Sequence, residues 1–475
     1  MPSEGGSALL SWTARIPEGG RELSAIAQEE QVRPGGIQRR VLGLAWPVIG
    51  ENLLETLLGV VDTFLVAGLG AAAIAGVGTA LQVMFFLISA LSALSVGASV
   101  LVAQAYGAGD LEEGCSLARQ SIIWSFLLSV PLAACGLLFS RHIVALFGVE
   151  PDVAQIATEY LHVSLATVVV LIALFIGGGV LRGVGDSRTP MIVTSIANVI
   201  NVLLAYGLIY GHMGLPRLGA VGSAWGTFIA RSIALVMLLA VLWKGRHGVS
   251  FRHGSGWLPS VRVAANVMRI GVPAAMEQVM ISAGFFVLSV IVAHLGTDIL
   301  AAYRITFTAL SFSFLPGIGF AIAATTLVGQ SVGARRVREG ESAARVATLW
   351  AMIWMGTIGA VLFLGAEPIM GLFSQDPEVV GIGASALRLV ALAQPFWAIE
   401  FVQAGAIRGT GDTWYPMVVN TLGMWGTVAI SWALVRFTEL SLVGVWLSFM
   451  VMSPLIGFAL WRYFVRRVRV AAALH

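Results

Sequence analysis

Twelve stretches of this chain stay apolar for roughly the twenty residues that a hydrocarbon core of about 30 Å demands of a spanning helix. They lie near 41–67, 78–104, 118–139, 158–180, 190–211, 220–243, 266–294, 303–328, 344–365, 383–406, 416–436 and 443–464. Within a bilayer no water is available to backbone N–H and C=O groups, so only helices and closed barrels can cross it. Barrel strands would read as short alternating segments; these runs are long and continuous. Composition agrees, with 57% hydrophobic and 11% charged residues, where a soluble domain carries about 25% charged. The expectation is an all-α integral membrane protein.

The chain also repeats itself at an offset of 226 residues. Pro47 and Glu51 return as Pro273 and Glu277, and Gly70 as Gly296. Gln104-Ala105-Tyr106-Gly107-Ala108 returns as Gln330-Ser331-Val332-Gly333-Ala334. Arg182-Gly183-Val184-Gly185-Asp186-Ser187 returns as Arg408-Gly409-Thr410-Gly411-Asp412-Thr413, each followed by a Pro-Met pair at Pro190 and Pro416. An even number of spans per copy gives both copies the same direction across the membrane, the parallel 6+6 arrangement of many transporters. The segments read as a 1–40 tail, a first lobe over 41–243, a linker over 244–265, a second lobe over 266–464 and a 465–475 tail. Basic residues gather before the first span, in the linker, after the eighth span and at the C-terminus. The positive-inside rule therefore puts both termini in the cytoplasm of a cell whose inner membrane holds the protein.

Ionisable groups inside a membrane cost about 2.5–3.5 kcal/mol each on insertion scales, which makes them the site candidates. The first span carries Glu51, Glu55 and Asp62. At about 100° per residue they fall within about 40° of one another, a single acidic stripe that should face a cavity. Glu277 mirrors Glu51, and Glu400 lies in the tenth span with Gln394 and Gln403 close in sequence. Glu51, Glu55, Glu277 and Glu400 are therefore expected to line a substrate cavity. In the repeated loop Gly183 and Gly185 allow a tight turn, and Asp186 or Ser187 can cap the fifth span ahead of Pro190. Arg182 can meet helix-end carbonyls or lipid phosphate. The same loop at Arg408, Gly409 and Asp412 makes both copies candidates for a cytoplasmic hinge. Pro131, Pro316, Pro395 and Pro454 fall mid-span, where kinks are expected.

Cys115 and Cys135 have no CxxC partner, so neither metal binding nor redox chemistry is indicated. No HExxH, no GxSxG within a span and no phosphate-binding loop is present, so neither an enzyme nor direct use of ATP is expected.

The paired RG-x-GD loops, the Gln-x-x-Gly-Ala ends of the second and eighth spans, and the Asp62–Gly70 end of the first resemble the multidrug and toxic compound extrusion (MATE) family. The likeness runs from about residue 40 to 465 and is greatest to its DinF-like branch. The resemblance implies two six-helix lobes in a V and export of small organic, often cationic, compounds by proton or sodium antiport. It further implies that Asp62 is the ion-coupling carboxylate, with Asn201 in the same cluster. The family's second Asp, four residues past that Asn, is Ala205 here, and its sodium-branch Glu falls at about Ile281. A lone carboxylate suits a proton better than a sodium ion, which needs several oxygen ligands. The expected partners are small organic substrates and membrane lipid, not nucleic acid, for a monomer with no cofactor beyond its coupling ion. A flippase for a lipid-linked or amphipathic lipid is the alternative.

Overall fold

The computed structural model describes residues 36–245, 247–252 and 257–473. Most of the 1–40 tail, and the linker's Arg246, lie outside them. The described residues form fourteen helices. These are α1 Gly36–Ala67, α2 Ala71–Gly107, α3 Leu111–Ala145, α4 Pro151–Ala166, α5 Val168–Gly183, α6 Arg188–Tyr210 and α7 Ala220–Lys244. There follow α8 Val261–Ala293, α9 Thr297–Gly333, α10 Val337–Leu364, α11 Ala366–Phe373, α12 Pro377–Gly409, α13 Trp414–Phe437 and α14 Ser441–Ala473. Ten are individually long and apolar enough to span, and α4 with α5 makes one further, bent span. The 37-residue α2, which contains no charged residue, completes twelve. The protein is a multi-pass membrane protein with the 6+6 architecture.

Helix ends depart from expectation in three places, the first being α1, which takes up 36–40 of the expected tail. The second lobe's first helix takes up 261–265 of the expected linker, and α14 carries helix through 465–473. Pro131, Pro316, Pro395 and Pro454 all sit inside helices that continue through them. One span is broken outright, at Thr167, where the chain turns by 51°. The Thr167 hydroxyl bonds back to the Val163 and Ser164 carbonyls at 2.8 and 3.3 Å. Such back-bonding competes with the helical ladder and bends it.

Helices α1–α7 and α8–α14 pack around separate apolar cores. The start of α1 crosses between them: Val41, Leu44 and Ala45 are buried in the second core, while farther along α1 lies against α6. The start of α8 crosses in the opposite sense: Val263 packs against the first core, and a Cβ on Gly97 of α2 would lie 2.4 Å from the Val267 carbonyl oxygen, so the first helix of each lobe reaches into the other. The linker is fastened to α3. Gln120 accepts the Ser260 N–H and donates to the Leu258 carbonyl, both at 2.8 Å. Trp124 donates to the Ser260 carbonyl at 3.1 Å, and Cys115 Sγ accepts the Ser250 N–H at 3.2 Å. The linker is therefore held to the first lobe, as is the start of α8.

Candidate functional site

The repeated loops are built twice on one plan. Gly185 and Gly411 have φ of +91° and +87°, the left-handed region that favours glycine. Gly183 and Gly409 serve otherwise: a Cβ there would come within 2.7 Å of the Ser99 carbonyl and 2.6 Å of the Thr325 carbonyl. They let α5 and α12 press on α2 and α9, and the tight turn belongs to the later glycine. The Asp186 carboxylate accepts the Thr189 N–H at 3.0 Å and its hydroxyl at 2.6 Å. Asp412 accepts the Tyr415 N–H at 3.2 Å, the Tyr463 hydroxyl at 2.6 Å and Arg467 at 2.7 Å. The latter pair of bonds ties the far end of α14 to the second loop.

The arginines of these loops turn inward. Arg182 meets Glu51 at 3.3 Å and Arg408 meets Glu277 at 2.6 Å. The third members also correspond: Thr194 donates to Glu51 at 3.4 Å, and Asn420 donates to Glu277 at 2.6 Å. Each group ties a lobe's first helix to its fourth and fifth spans. Glu51 and Glu277 are thus paired carboxylates, and Arg182 and Arg408 find acids in place of helix-end carbonyls or lipid phosphate. Thr194 and Asn420 were not singled out in the sequence, although both are polar and stand 226 residues apart. Glu277 is 2% exposed. Removing one partner of a buried pair strands the other charge, at a cost of about 3–5 kcal/mol. Arg408→Met should therefore lower the melting temperature of the purified protein markedly, and Glu277→Gln added to it should restore much of the loss. Equal stability of Arg408→Met and the wild type would show the pair to be idle.

The acidic stripe separates along its length. Past Glu51, Glu55 lies within electrostatic reach of Glu51, Arg182 and Arg231. Asp62 stands beside Ser223 and within reach of Arg231, with Tyr160 also close. Among the described residues one oxygen of Asp62 is buried without a hydrogen-bond partner. Asn201 is 2% exposed and donates to Thr227 at 3.1 Å, leaving its own oxygen buried and unpartnered among the described residues. Helix α6 runs beside α1 in parallel: Asn198 donates to the Leu54 carbonyl at 3.0 Å and Tyr210 to the Leu65 carbonyl at 2.6 Å. That register sets Ala205 near the level of Asp62. Ala205 is fully buried, and a Cβ on Gly226 of α7 would lie 2.9 Å from its nitrogen. Close packing of α6 on α7 occupies the place of a second carboxylate.

In the second lobe Glu400 lies within electrostatic reach of Glu277 and has one buried oxygen with no partner among the described residues. Gln394 and Gln403 are engaged elsewhere, with Ser313 at 2.6 Å and Thr348 at 3.0 Å. Among the described residues no three His, Cys, Asp or Glu side chains gather as a metal site requires.

The lobes are clasped at the end that carries the basic loops. Gln104 of α2 donates to the Gly409 carbonyl at 3.0 Å, and Gln330 of α9 donates to the Gly183 carbonyl at 2.9 Å. Donors and acceptors exchange under the 226-residue repeat, so the clasp has the pseudo-twofold symmetry of the fold. Glycines make the approach possible: a Cβ on Gly107 would lie 1.9 Å from the Gln330 oxygen, and one on Gly333 would lie 1.9 Å from the Gln104 oxygen. Arg40 adds a bond to Gln330 at 3.2 Å. Sequence spacing displayed these glutamines and glycines as a motif; only the lobes' meeting shows that they touch.

The MatE family model matches residues 47–207 and again 273–433, two stretches in the same register as the internal repeat. The chain belongs to the MATE family. A probable multidrug resistance protein NorM of Thermotoga maritima is 32% identical over 87% of this chain and 89% of its own length. The multidrug resistance protein NorM of Burkholderia vietnamiensis is 31% identical over 81% of this chain and 84% of its own. Among solved structures, a MATE transporter in complex with MaL6 superposes with a TM-score of 0.85 at 23% identity, covering 92% of this chain and 97% of the other. A multidrug resistance MATE transporter in an outward-facing conformation also gives 0.85, at 22% identity over 97% and 100%. As a MATE protein the chain is a membrane transporter and not an enzyme.

Proposed function

We propose that this MATE transporter exports small organic compounds of varied structure, cationic ones among them, from the cytoplasm across the inner membrane in exchange for protons. The observation that carries the proposal is Asp62: a carboxylate with a buried, unpartnered oxygen, on the helix whose base is buried in the other lobe. Glu51 already has an arginine and Asp62 has none within ion-pair distance among the described residues. Protonation of Asp62 removes a charge that is costly to hold inside a membrane, and α1 carries the resulting shift to the lobe seam. The basic end faces the cytoplasm by the positive-inside rule, so the clasped state is closed on that side. Substrate leaves outward; proton release inward, with the glutamine clasp parted, resets the site. With Ala205 beside the site, a sodium ion lacks the second carboxylate that would help to hold it. The multidrug names of the relatives from Thermotoga maritima and Burkholderia vietnamiensis support a broad range of cargo.

The test is efflux of a fluorescent organic cation from cells lacking their own pumps, with proton and sodium gradients collapsed separately. Export should stop on loss of the proton gradient and survive loss of the sodium gradient. The reverse pattern would name sodium. Absence of export from cells with abundant protein in the membrane would overturn the drug-export reading in favour of a lipid cargo.

A further inference from the structure

A cavity of about 490 Å³ opens between the basic ends of α1 and α6, outside the acidic cluster and the clasp; its lining includes Gln38, Arg39, Leu42, Trp46, Pro47 and Arg188. We infer that it receives the phosphate-bearing headgroup of an anionic membrane phospholipid. Arg39 and Arg188 line this one cavity, both exposed. Among the described residues neither makes a hydrogen bond or ion pair, whereas Arg182, Arg408 and Arg467 each hold an acid. Two cations lining one open cavity repel each other unless an anion sits between them, and guanidinium is well matched to phosphate. Descending α1 from Gln38 and Arg39, the wall becomes apolar through Leu42, Trp46 and Pro47. A cationic rim over an apolar wall at the end of a spanning helix matches the profile of a phospholipid, whose phosphate lies above its acyl chains. Trp46, 62% exposed, supplies the aromatic residue typical of that depth.

The internal repeat supplies a comparison. At the offset of 226 the counterparts of Arg39 and Arg188 are Ala265 and Trp414. The second lobe has the same loop and helices without the two charges, so the fold does not require them. The cavity also adjoins the lobe seam: the Trp46 ring lies 6.4 Å from that of Trp354 on α10. A headgroup seated there rests on a side chain that touches the other lobe, so occupancy should steady the assembled lobes. The inference depends on the membrane fold and not on the nature of the exported compound.

The experiment compares melting of the purified full-length chain in nanodiscs of phosphatidylcholine alone and in nanodiscs containing phosphatidylglycerol. Ligand bound only by the folded state raises its stability by mass action. Wild type should melt several degrees higher with phosphatidylglycerol. The doubly substituted Arg39→Gln/Arg188→Gln protein should melt like wild type in phosphatidylcholine and lose most of that gain. The single substitutions, which keep the fold intact if the pair does not, should each lose part of it. An undiminished gain in the double variant would overturn the site, leaving general surface attraction. An equal gain from inorganic phosphate in phosphatidylcholine discs would overturn the lipid as occupant. The chain's own N-terminal segment, with Glu22, Glu29 and Glu30, is the competing occupant. It would displace the lipid if the full chain showed no gain and a chain lacking residues 1–33 did.

Discussion

Asp62→Asn should reduce export to that of cells carrying no pump, while the protein stays in the membrane at its normal abundance. Asparagine has nearly the shape of aspartate and resembles its protonated form, so neither the fold nor the apolar setting of α1 is disturbed. What it cannot do is alternate between charged and neutral. In proteoliposomes the variant should still exchange labelled for unlabelled substrate with no gradient, because that exchange needs the lobes to rock but no proton to be carried. Loss of driven export with retained exchange would place Asp62 in ion coupling. Loss of both would place it in substrate binding. Driven export at the wild-type rate would remove the carboxylate from the mechanism. Glu51→Gln provides the contrast. It breaks the Arg182 pair at 3.3 Å, and the groups there are about 15% exposed, so water can share the freed charge and stability should fall less than for Arg408→Met.

The second large effect is expected at the clasp. Gly107→Val or Gly333→Val would put side-chain carbons where a carbonyl oxygen of the other lobe now stands, 1.9 Å from the position of the first of them. No rotamer relieves that overlap, since it begins at Cβ. The basic end should fail to close, transport should stop, and a cysteine placed at Ala103 should react from that side with a membrane-impermeant thiol reagent. Cys115 and Cys135 are replaced first, because Cys135 is exposed. Gln104→Ala acts in the same sense but far more mildly. It deletes one hydrogen bond across the seam, a net contribution of about 1 kcal/mol, and spares the close contact. It should leave transport working, with the closed state less populated. Normal transport by both valine variants would mean that transport does not require this seam to close.

Much of the architecture was legible because membrane insertion leaves few choices. Apolar runs of spanning length have to be helices, and the offset of 226 residues fixed two copies of one lobe before any contact was known. The periodicity of α1 set Glu51, Glu55 and Asp62 on one side, since angular position in a helix follows from spacing alone. The sequence could not say what each acid meets on that side. Arg182 is 131 residues from Glu51, and Arg408 the same distance from Glu277; these pairs exist only because α5 and α12 return beside the first helix of their lobes. Gly183 and Gly409 read as turn residues, but the neighbour that requires them small belongs to another helix. The mid-span prolines could be read off the chain, but nothing in the sequence singled out the break at Thr167, where a hydroxyl bonds back to the preceding turn. The clasp is the plainest case. Gln104 and Gln330 announced themselves by repetition, which is a property of the chain, but hydrogen bonding to the opposite loop is a property of two lobes in contact. The sequence by itself determined the spans, the duplication and the acidic face. Tertiary structure alone decided which charges are neutralised, which carboxylate is left over and where the halves touch, because burial and partnership depend on residues hundreds of positions apart.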